Sequence, residues 1–266
     1  MKNKKTIIGA LHFLPLIGYD GFTNYEDVLS KAIMDLETFE SGGADAVIIE
    51  NNYNLPHRIE ENTEAIEMML KLTKDLAKIS DIPLGISVLW NDYESAFKIA
   101  NESGAEFIRV PVFVDSVKTS YGEIIANPEK VLKVRKELVA ENVKIYADVQ
   151  VKHAEMVNER SIEKSSLEAI EKGADGIIIT GKWTGDAPIM DELEKVRAVV
   201  NDFPIIIGSG ADKDNIQELF KFADMAIVST SLKEGVVFDG EVNLKPFNAR
   251  ISLEKVKEFV GKVKSD

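Results

Sequence analysis

The sequence predicts an α/β protein that folds as one (β/α)8 barrel, a TIM barrel, over residues 1–266. Two observations support this prediction. Strands of a second type lie at nearly even spacing between four similar segments, so eight strands alternate with eight helical patterns. Each similar segment places an alanine and an acid before a short apolar run: GGADAVIIE (42–50), SGAEFIRVPV (103–112), KGADGIIITG (172–181) and KFADMAIVST (221–230). This alternation is typical of a closed parallel sheet, and a doubly wound open sheet is the alternative.

The predicted strands have nearly continuous apolar runs, as expected of parallel strands covered on both faces. In three of the four similar segments a glycine precedes the alanine, and this glycine suits the C-cap of the preceding helix. In chain order the predicted strands are 6–14, 42–50, 81–89, 103–112, 142–150, 172–181, 202–210 and 221–230.

The predicted helices follow these strands with apolar residues at helical spacing. The first, over 25–41, has an apolar face of Val28, Leu29, Ala32, Ile33, Leu36 and Phe39. The others are predicted over 61–79, 92–102, 128–140, 161–171, 190–200, 213–221 and 252–263. The apolar face of the last is interpreted as packing on the barrel.

The first strand lies in a charge-free run, TIIGALHFLPLIG, that follows three lysines and could also be a secretory signal peptide. The run lacks a small-residue cleavage site and contains His12 and Pro15. Removing it would leave seven strands, too few to close the barrel. We therefore interpret it as the first strand and its loop, and expect a cytoplasmic protein with no membrane-spanning segment.

The composition excludes several classes of function. The formal net charge of −13 makes nucleic acid an unlikely partner, because an acidic surface repels phosphate backbones. With no cysteine, the chain has no disulfide, thiol nucleophile or thiolate metal site. No cofactor is predicted to be required. A divalent metal such as Mg²⁺ on Glu50, Asp92 and Asp148 is the alternative, because hard oxygen ligands suit that ion.

Polar and ionisable residues end the predicted strands, which is where a barrel of this type has its site. In chain order they are His12; Glu50, Asn51 and Asn52; Trp90, Asn91 and Asp92; Arg109; Asp148, Gln150, Lys152 and His153; Thr180, Lys182 and Thr184; Gly208, Ser209, Gly210 and Asp212; Ser229, Thr230 and Ser231. Asp92 and Asp212 also suit helix N-caps. Arg109 is compatible with an ion pair to Glu50 or Asp148 as well as with a substrate contact.

The last two loops predict a phosphate site. Gly208, Ser209 and Gly210 follow the seventh strand, and Ser229, Thr230 and Ser231 follow the eighth. Glycines admit close approach of backbone amides, and the helix predicted to begin after GSGAD would present its positive end to an anion. Barrels often bind phosphate at these two loops. Tight turns with capping residues are the alternative.

The segment DVQVKHA predicts the reacting groups. At a period of two, Asp148, Gln150 and Lys152 share one face of the fifth strand. Lys152 could act as an electrostatic clamp, a general acid or base, or a Schiff-base nucleophile. His153 reaches the same space only if the strand has already ended.

Seven motifs, in order along nearly the whole chain, resemble the BtpA/SgcQ family of barrel proteins: GALHFLPLIG, GGADAVIIEN, GAEFIRVPV, IYADVQVKHA, IIITGKWTGDAP, IIGSGADKDNI and VSTSLKEGV. The resemblance implies a TIM barrel close to the ribulose-phosphate-binding group. One branch of the family is linked to stability or assembly of photosystem I at thylakoid membranes. Another lies among genes of sugar uptake and carbohydrate metabolism.

Two functions are compatible with these observations. The first, which we favour, is an enzyme that acts on a small phosphorylated metabolite, a sugar phosphate or nucleotide-like compound, by isomerase, aldolase/lyase or hydrolase chemistry. Lys152, Asp148, His12 and Glu50 would face the reacting carbon. Substrate or phosphate would contact Gly208, Ser209, Gly210, Ser229, Thr230, Ser231, Arg109, Asn91, Gln150 and Thr180. The second is a non-catalytic assembly factor, peripheral to a membrane. By analogy with related barrels, a homo-oligomer is expected.

Overall fold

A computed structural model describes residues 5–181, 185–235 and 246–264 of the protein. The eight strands of its barrel are β1 (Thr6–His12), β2 (Ala46–Glu50), β3 (Leu84–Ser87), β4 (Phe107–Val110), β7 (Lys144–Val149), β9 (Gly176–Ile179), β10 (Ile205–Ile207) and β11 (Met225–Val228). All neighbours pair in parallel, and the ring closes in the order β1-β11-β10-β9-β7-β4-β3-β2. The predicted fold class is confirmed. Lys182 and Thr184, which the sequence places at a strand end, lie outside the described residues.

Helices surround the barrel at the predicted places. They are α1 (Tyr25–Gly42), α2 (Thr63–Ala77), α3 (Tyr93–Ser103), α4 (Pro128–Glu137), α5 (Ile162–Glu171), α6 (Met190–Val200), α7 (Ile216–Leu219) and α8 (Leu253–Lys264). Gly43 and Gly104 end α1 and α3 in the left-handed conformation, as their position in the repeated segment predicts. The helix predicted over 213–221 is much shorter, because α7 has only four residues.

The acid in the repeated segment has a structural role at the N-terminal end of the barrel. The side chain of Asp45 accepts the backbone N–H of Ile7 at 3.0 Å. Asp175 does the same for Ile145, the second residue of β7, at 2.8 Å, and Asp224 for Ile205, the first residue of β10, at 3.0 Å. Each carboxylate therefore fixes the start of the barrel strand that precedes its own. The strands of the four repeated segments begin a few residues later than predicted, because the residues up to and including the acid belong to the preceding helix or turn.

A small antiparallel sheet, which the sequence analysis did not predict, lies over one side of the barrel. It consists of β5 (Val117–Thr119), β6 (Gly122–Ile124) and β8 (Glu155–Met156), in the order β6-β5-β8. The first two strands form a hairpin between β4 and α4, and the third follows β7. Strands of two or three residues are too short to leave a clear periodic pattern.

Two separate apolar cores hold the barrel together. The larger lies between the strands and the surrounding helices. The smaller fills the barrel interior with Ile8, Ala10, Ala46, Ile48, Phe107, Tyr146, Ile178, Ile206 and Ile227. The ring of Phe107 lies against Gly85, where an added Cβ would be 2.1 Å from the ring.

Gly85→Ala is expected to lower the free energy of unfolding by about 1–3 kcal/mol, because the new methyl group would overpack the barrel interior. The matched control is Gly261→Ala in α8, where no atom lies within 4 Å of an added Cβ. Alanine there should leave stability unchanged or raise it by up to about 1 kcal/mol. Urea unfolding measures both changes, and equal stabilities of the Gly85 variant and the parent would contradict the packing argument.

Candidate active site

The barrel interior changes from apolar to polar at its C-terminal end. Strand side chains alternate between the two faces of the sheet. A residue two positions beyond an interior residue therefore also points into the barrel. This next layer consists of His12, Glu50, Ser87, Arg109, Asp148, Thr180, Gly208 and Ser229. The polar layer forms the floor below the loops.

Arg109 occupies the centre of one side of this floor. Its Nε and Nη2 donate to the two carboxylate oxygens of Asp148, both at 2.8 Å, and its Nη1 donates to Glu50 at 3.4 Å. Burial disfavours the charged guanidinium, but the two carboxylates outweigh it and raise the pKa of Arg109. The pairing with Glu50 and Asp148 suggested by the sequence is therefore present. Asp148 is 1 % exposed and lies beneath Arg109, so it positions the guanidinium and is absent from the residues that line the cavity.

His12 joins Glu50 to a lysine that the sequence analysis missed. Its Nε2 is 3.3 Å from a Glu50 oxygen, and its Nδ1 is 3.1 Å from Lys233 Nζ. Because the lysine nitrogen is the donor, Nδ1 accepts and the Nε2–H faces the carboxylate. Burial, and then the charge of Lys233, lower the pKa of His12 to about 4, so the ring is neutral at pH 7. Burial opposes ionisation of Glu50, but the hydrogen bond from His12 and the charge of Arg109 outweigh it and lower the pKa to about 2.

Lys233 is a buried lysine, 3 % exposed, held in the loop after β11. It donates to the hydroxyl of Tyr53 at 2.7 Å, and the Tyr53 ring lies edge-on to His12 with centroids 5.7 Å apart. A bridge to Ile251 and a hydrogen bond from Lys255 to its carbonyl oxygen fix its backbone. In the sequence Lys233 lies two residues after the STS loop, but Lys-Glu-Gly resembles an ordinary surface turn, so the pattern alone does not reveal its burial.

Lys152 lies at the cavity wall, beside Arg109. Burial, and then the neighbouring guanidinium, lower the pKa of Lys152 to about 8, although Glu50, Asp148 and Asp186 act in the opposite direction. The amine is consequently poised near neutral pH, as a nucleophile or base requires. His153 also lines the cavity, because β7 has ended at Val149 and His153 has a positive φ of 60°.

Two predicted binding residues lie elsewhere. Gln150 does not share a face with Asp148 and Lys152, because its φ of 51° breaks the alternation after β7. Its backbone N–H donates to Asp115 at 3.0 Å and its side-chain amide donates to the carbonyl of Arg160 at 2.9 Å. Asn91 exchanges hydrogen bonds with the backbone of Val112 and faces a separate groove beside α3.

The loop after β10 packs closely on its neighbour. An added Cβ on Gly210, whose φ is 68°, would be 2.1 Å from the backbone of Asp186 and Ala187. The hydroxyl of Ser209 donates to the carbonyl of Asp186 at 2.9 Å. Both glycine and serine therefore support the adjacent loop, and all three residues of the GSG motif also line the cavity.

The start of α7 offers little to an anion. The Asp212 carboxylate accepts the backbone N–H groups of Asp214 and Asn215, at 2.8 and 3.0 Å. Asp212 therefore caps the turn before α7 rather than the helix, whose N-cap is Asn215, and its own charge occupies the position expected for a phosphate. The helix-end part of the predicted phosphate site is replaced by this cap.

Two buried hydroxyls on the strands beside β10 have no hydrogen-bond partner within the described segments. They are Thr180 Oγ1 and Ser229 Oγ, on residues that are each 9 % exposed. Ser229 lines the cavity together with Thr230 and Ser231, and the Ser231 hydroxyl donates to the carbonyl of Ala211 at 2.9 Å. Thr180 lies next to Gly208 and is absent from the residues that line the cavity.

The floor and loops enclose a cavity of about 560 Å³. That volume is within the usual range for a small-molecule site. Among the residues predicted to react with or bind the substrate, those that line it are His12, Glu50, Arg109, Lys152, Gly208, Ser209, Gly210, Ser229, Thr230 and Ser231. Asp148, Asn91, Gln150 and Thr180 do not line it.

The three carboxylates suggested for a divalent metal do not form one site. Arg109 lies between Glu50 and Asp148, and Asp92 accepts the Ser95 N–H as the N-cap of α3. Within residues 5–181, 185–235 and 246–264, no group of three His, Asp or Glu side chains is placed to hold a metal ion.

Comparison of the sequence with known proteins identifies relatives over nearly its full length. The BtpA family model matches residues 3–265. An uncharacterized protein of Methanocaldococcus jannaschii is 35% identical over 263 residues, covering 98% of this chain and 96% of its own. The Photosystem I biogenesis protein BtpA of Synechocystis is 36% identical over 259 residues, covering 95% of this chain and 88% of its own.

Solved structures with a similar fold are much more distant in sequence. A (S)-3-O-geranylgeranylglyceryl phosphate synthase from Thermoplasma acidophilum, in complex with sn-glycerol-1-phosphate, has a TM-score of 0.62 at 14% identity and covers 100% of this chain and 95% of its own. The N-(5'-phosphoribosyl)anthranilate isomerase from Pyrococcus furiosus has a TM-score of 0.57 at 16% identity, covering 98% and 100%. These likenesses support the barrel fold alone.

His12→Gln should reduce the pH dependence of stability. Between pH 6.5 and about 4, the unfolded chain binds a proton at His12 that the folded protein does not, so stability falls as the pH falls. This proton contributes a slope of up to about 1.4 kcal/mol per pH unit. Urea unfolding from pH 7 to 4.5 should give a shallower slope for the variant, and identical slopes would show that His12 titrates normally.

Proposed function

Since the chain belongs to the BtpA family and its barrel has a polar cavity at the C-terminal end, we propose that it is an enzyme acting on a small phosphorylated metabolite. The observation that carries the proposal is the buried hydroxyl of Ser229 at the cavity wall, which has no hydrogen-bond partner among the described residues. A buried polar group without a partner costs about 1–3 kcal/mol, and an oxygen of a bound ligand would remove that cost.

The proposed phosphate position lies between the loops that follow β10 and β11. Ser229 and the adjacent Thr230 supply hydroxyls, and the GSG loop supplies backbone at the cavity surface. Arg109 and Lys152 supply positive charge nearby, in a chain whose overall charge is −13. Two proteins of similar fold are named for phosphorylated compounds, a glyceryl phosphate synthase and a phosphoribosyl anthranilate isomerase, which supports the proposal by analogy.

The reacting groups are the neutral His12 imidazole, Glu50 and Lys152. His12 lies between a donor, Lys233, and an acceptor, Glu50, so it can take a proton at Nδ1 only if Lys233 moves or gives up its own proton. Lys152, with its pKa near 8, is unprotonated in roughly a tenth of molecules at pH 7. It can accept a proton from a carbon, or attack a carbonyl carbon to form an imine with loss of water. Arg109 would stabilise negative charge that develops on the substrate.

The second candidate is a non-catalytic assembly factor, and the name of the Synechocystis relative favours it. A role at a membrane would need an exposed apolar face or a spanning helix. The apolar residues of α8 instead pack on the barrel, because Val256, Phe259 and Val260 are buried. No helix in the described part of the chain is long and apolar enough to cross a membrane. A scaffold alone also gives no reason for a cavity floored by buried charges.

The phosphate site is tested by Ser229→Ala, which removes the hydroxyl at the cavity wall. The wild type is expected to bind ribose 5-phosphate and inorganic phosphate, measured by isothermal titration calorimetry. Because a hydrogen bond to a charged group contributes about 1.5–3 kcal/mol, this variant should bind roughly tenfold to a hundredfold more weakly.

The matched control is Thr38→Val on α1, where the hydroxyl donates to a carbonyl of its own helix at 2.7 Å, far from the cavity. This variant should bind both ligands as the wild type does. Absence of binding by the wild type, or equal affinities in all variants, would contradict the proposed phosphate site.

The imine mechanism makes a separate prediction for Lys152. Borohydride reduction in the presence of a carbonyl phosphate ester, such as ribose 5-phosphate, should leave a mass adduct on Lys152 before the exposed lysines, because its pKa is lower. Peptide mass spectrometry locates the adduct, and Lys152→Met should abolish it. Turnover without an adduct would eliminate the imine and leave Lys152 as an acid, a base or an electrostatic clamp.

A further inference from the structure

The cavity has a second wall, which differs in chemistry from the proposed phosphate loops. In the closed ring of eight strands, β3 stands opposite β10 and β4 stands opposite β11. The loops that follow β3 and β4 therefore face the GSG and STS loops across the mouth of the barrel. They contribute Trp90, Pro111 and, from the small sheet, Tyr121, and the end of β7 adds Val151.

This apolar wall is built before any ligand arrives. Trp90 is 6 % exposed and packs in a separate hydrophobic cluster with Val112, Val117, Ile124 and Val151. Its backbone N–H donates to the carbonyl of Arg58 at 2.7 Å, which ties the wall to the loop after β2. The small antiparallel sheet thus has a role, since two of its strands supply the cluster and its hairpin supplies Tyr121.

A buried ring nitrogen lies beside the apolar wall. The Nδ1 of His57 is buried and has no hydrogen-bond partner in the described segments, and His57 lines the cavity at 8 % exposure. Its ring is held edge-on to Tyr121, with centroids 5.4 Å apart and an interplanar angle of 77°. Burial lowers the pKa of His57 to about 4, although the charges of Glu61 and Glu50 and a hydrogen bond with the Asn54 backbone act in the opposite direction, so the ring is neutral at pH 7. A ligand that fills this wall must offer His57 a hydrogen bond or leave it unsatisfied.

We infer that the wall of Trp90, Tyr121, Val151 and His57 binds a planar, unsaturated ring of the substrate, with a polar group on the ring edge bonded to His57 Nδ1. This inference rests on the proposed phosphate site, and it narrows the substrate to a phosphate ester that carries a flat heterocycle. The phosphate and the ring bind at opposite sides of the mouth. The part of the substrate between the phosphate and the ring then lies over His12, Glu50 and Lys152.

Two other ligand classes fit this wall less well. The hydroxyls of a bare sugar would face Trp90 and Val151 without partners, and a buried polar group without a partner is unfavourable. An alkyl chain would cover the apolar surface but would leave the nitrogen of His57 unsatisfied. A flat heterocycle satisfies both, since aromatic faces stack on rings and its edge carries hydrogen-bonding groups.

The test compares three probes by isothermal titration calorimetry: ribose 5-phosphate, uridine 5′-monophosphate and inosine 5′-monophosphate. They share a ribose phosphate, and only the last two carry a planar heterocycle. Stacking contributes about 1–3 kcal/mol per base, so at least one nucleotide should bind about tenfold to a hundredfold more tightly than ribose 5-phosphate. If neither nucleotide binds more tightly, the inference is overturned while the phosphate site stands. If none of the three binds, the proposed function fails, and the inference fails with it.

Variants of the wall residues test whether the higher nucleotide affinity arises from this wall. His57→Phe keeps a ring beside Tyr121 and removes the nitrogen, and Tyr121→Leu removes an aromatic face that is partly exposed. Both should lower nucleotide affinity toward that of ribose 5-phosphate, whose own affinity should not change. Tyr93→Leu, an aromatic residue outside this cavity, should leave all three affinities unchanged. Thermal unfolding confirms that each variant is folded, and Tyr121→Leu decides the result if the buried His57 variant does not fold. Nucleotide affinities that stay at the wild-type level in folded wall variants would overturn the inference.

Discussion

The buried guanidinium of Arg109 is the constraint on which the candidate site depends. A cation in the barrel interior is tolerated only with close anionic partners, and Asp148 and Glu50 supply them from two other strands. Glu50 is thereby held as an anion, which orients His12, and His12 in turn meets Lys233 from the loop after β11. This chain of contacts links both ends of the sequence across the mouth of the barrel. Replacing one member would leave its neighbours buried and unpaired.

A floor of buried charges is unfavourable for the stability of the barrel, because each charge is removed from water. Apolar side chains of similar volume often stabilise a protein as well as a buried ionic network, or better. The interior layer immediately below is entirely built from such residues apart from the Tyr146 hydroxyl, so the chain can fill this space without charges. The change in chemistry between two adjacent layers therefore points to a role in binding or reaction, and the network holds Glu50 and His12 in one arrangement without ligand.

The sequence predicted the barrel well because parallel strands buried on both faces have continuous apolar runs, and because the Gly-Ala-acid segment recurs before them. It also predicted which strand ends face the cavity, including His12, Glu50 and Lys152. It failed where one backbone angle decides the direction of a side chain. The position of Gln150 fits the alternation of the strand, but its positive φ turns the side-chain amide away from the cavity. Lys233 was missed because burial of a lysine arises from segments distant in sequence, Tyr53 and Ile251, rather than from a local pattern.

The carboxylates of Asp45, Asp175 and Asp224 have a consequence for how the barrel is assembled. Each ties a strand to the one before it, so β1 and β2, β7 and β9, and β10 and β11 form three locked pairs at the N-terminal end. The barrel in this sense contains three two-strand modules, sealed at one end, with the candidate site at the other. New termini cut between these modules would leave each module in one continuous stretch of chain. A cut inside a module would instead leave its seal to join the two ends of the new sequence.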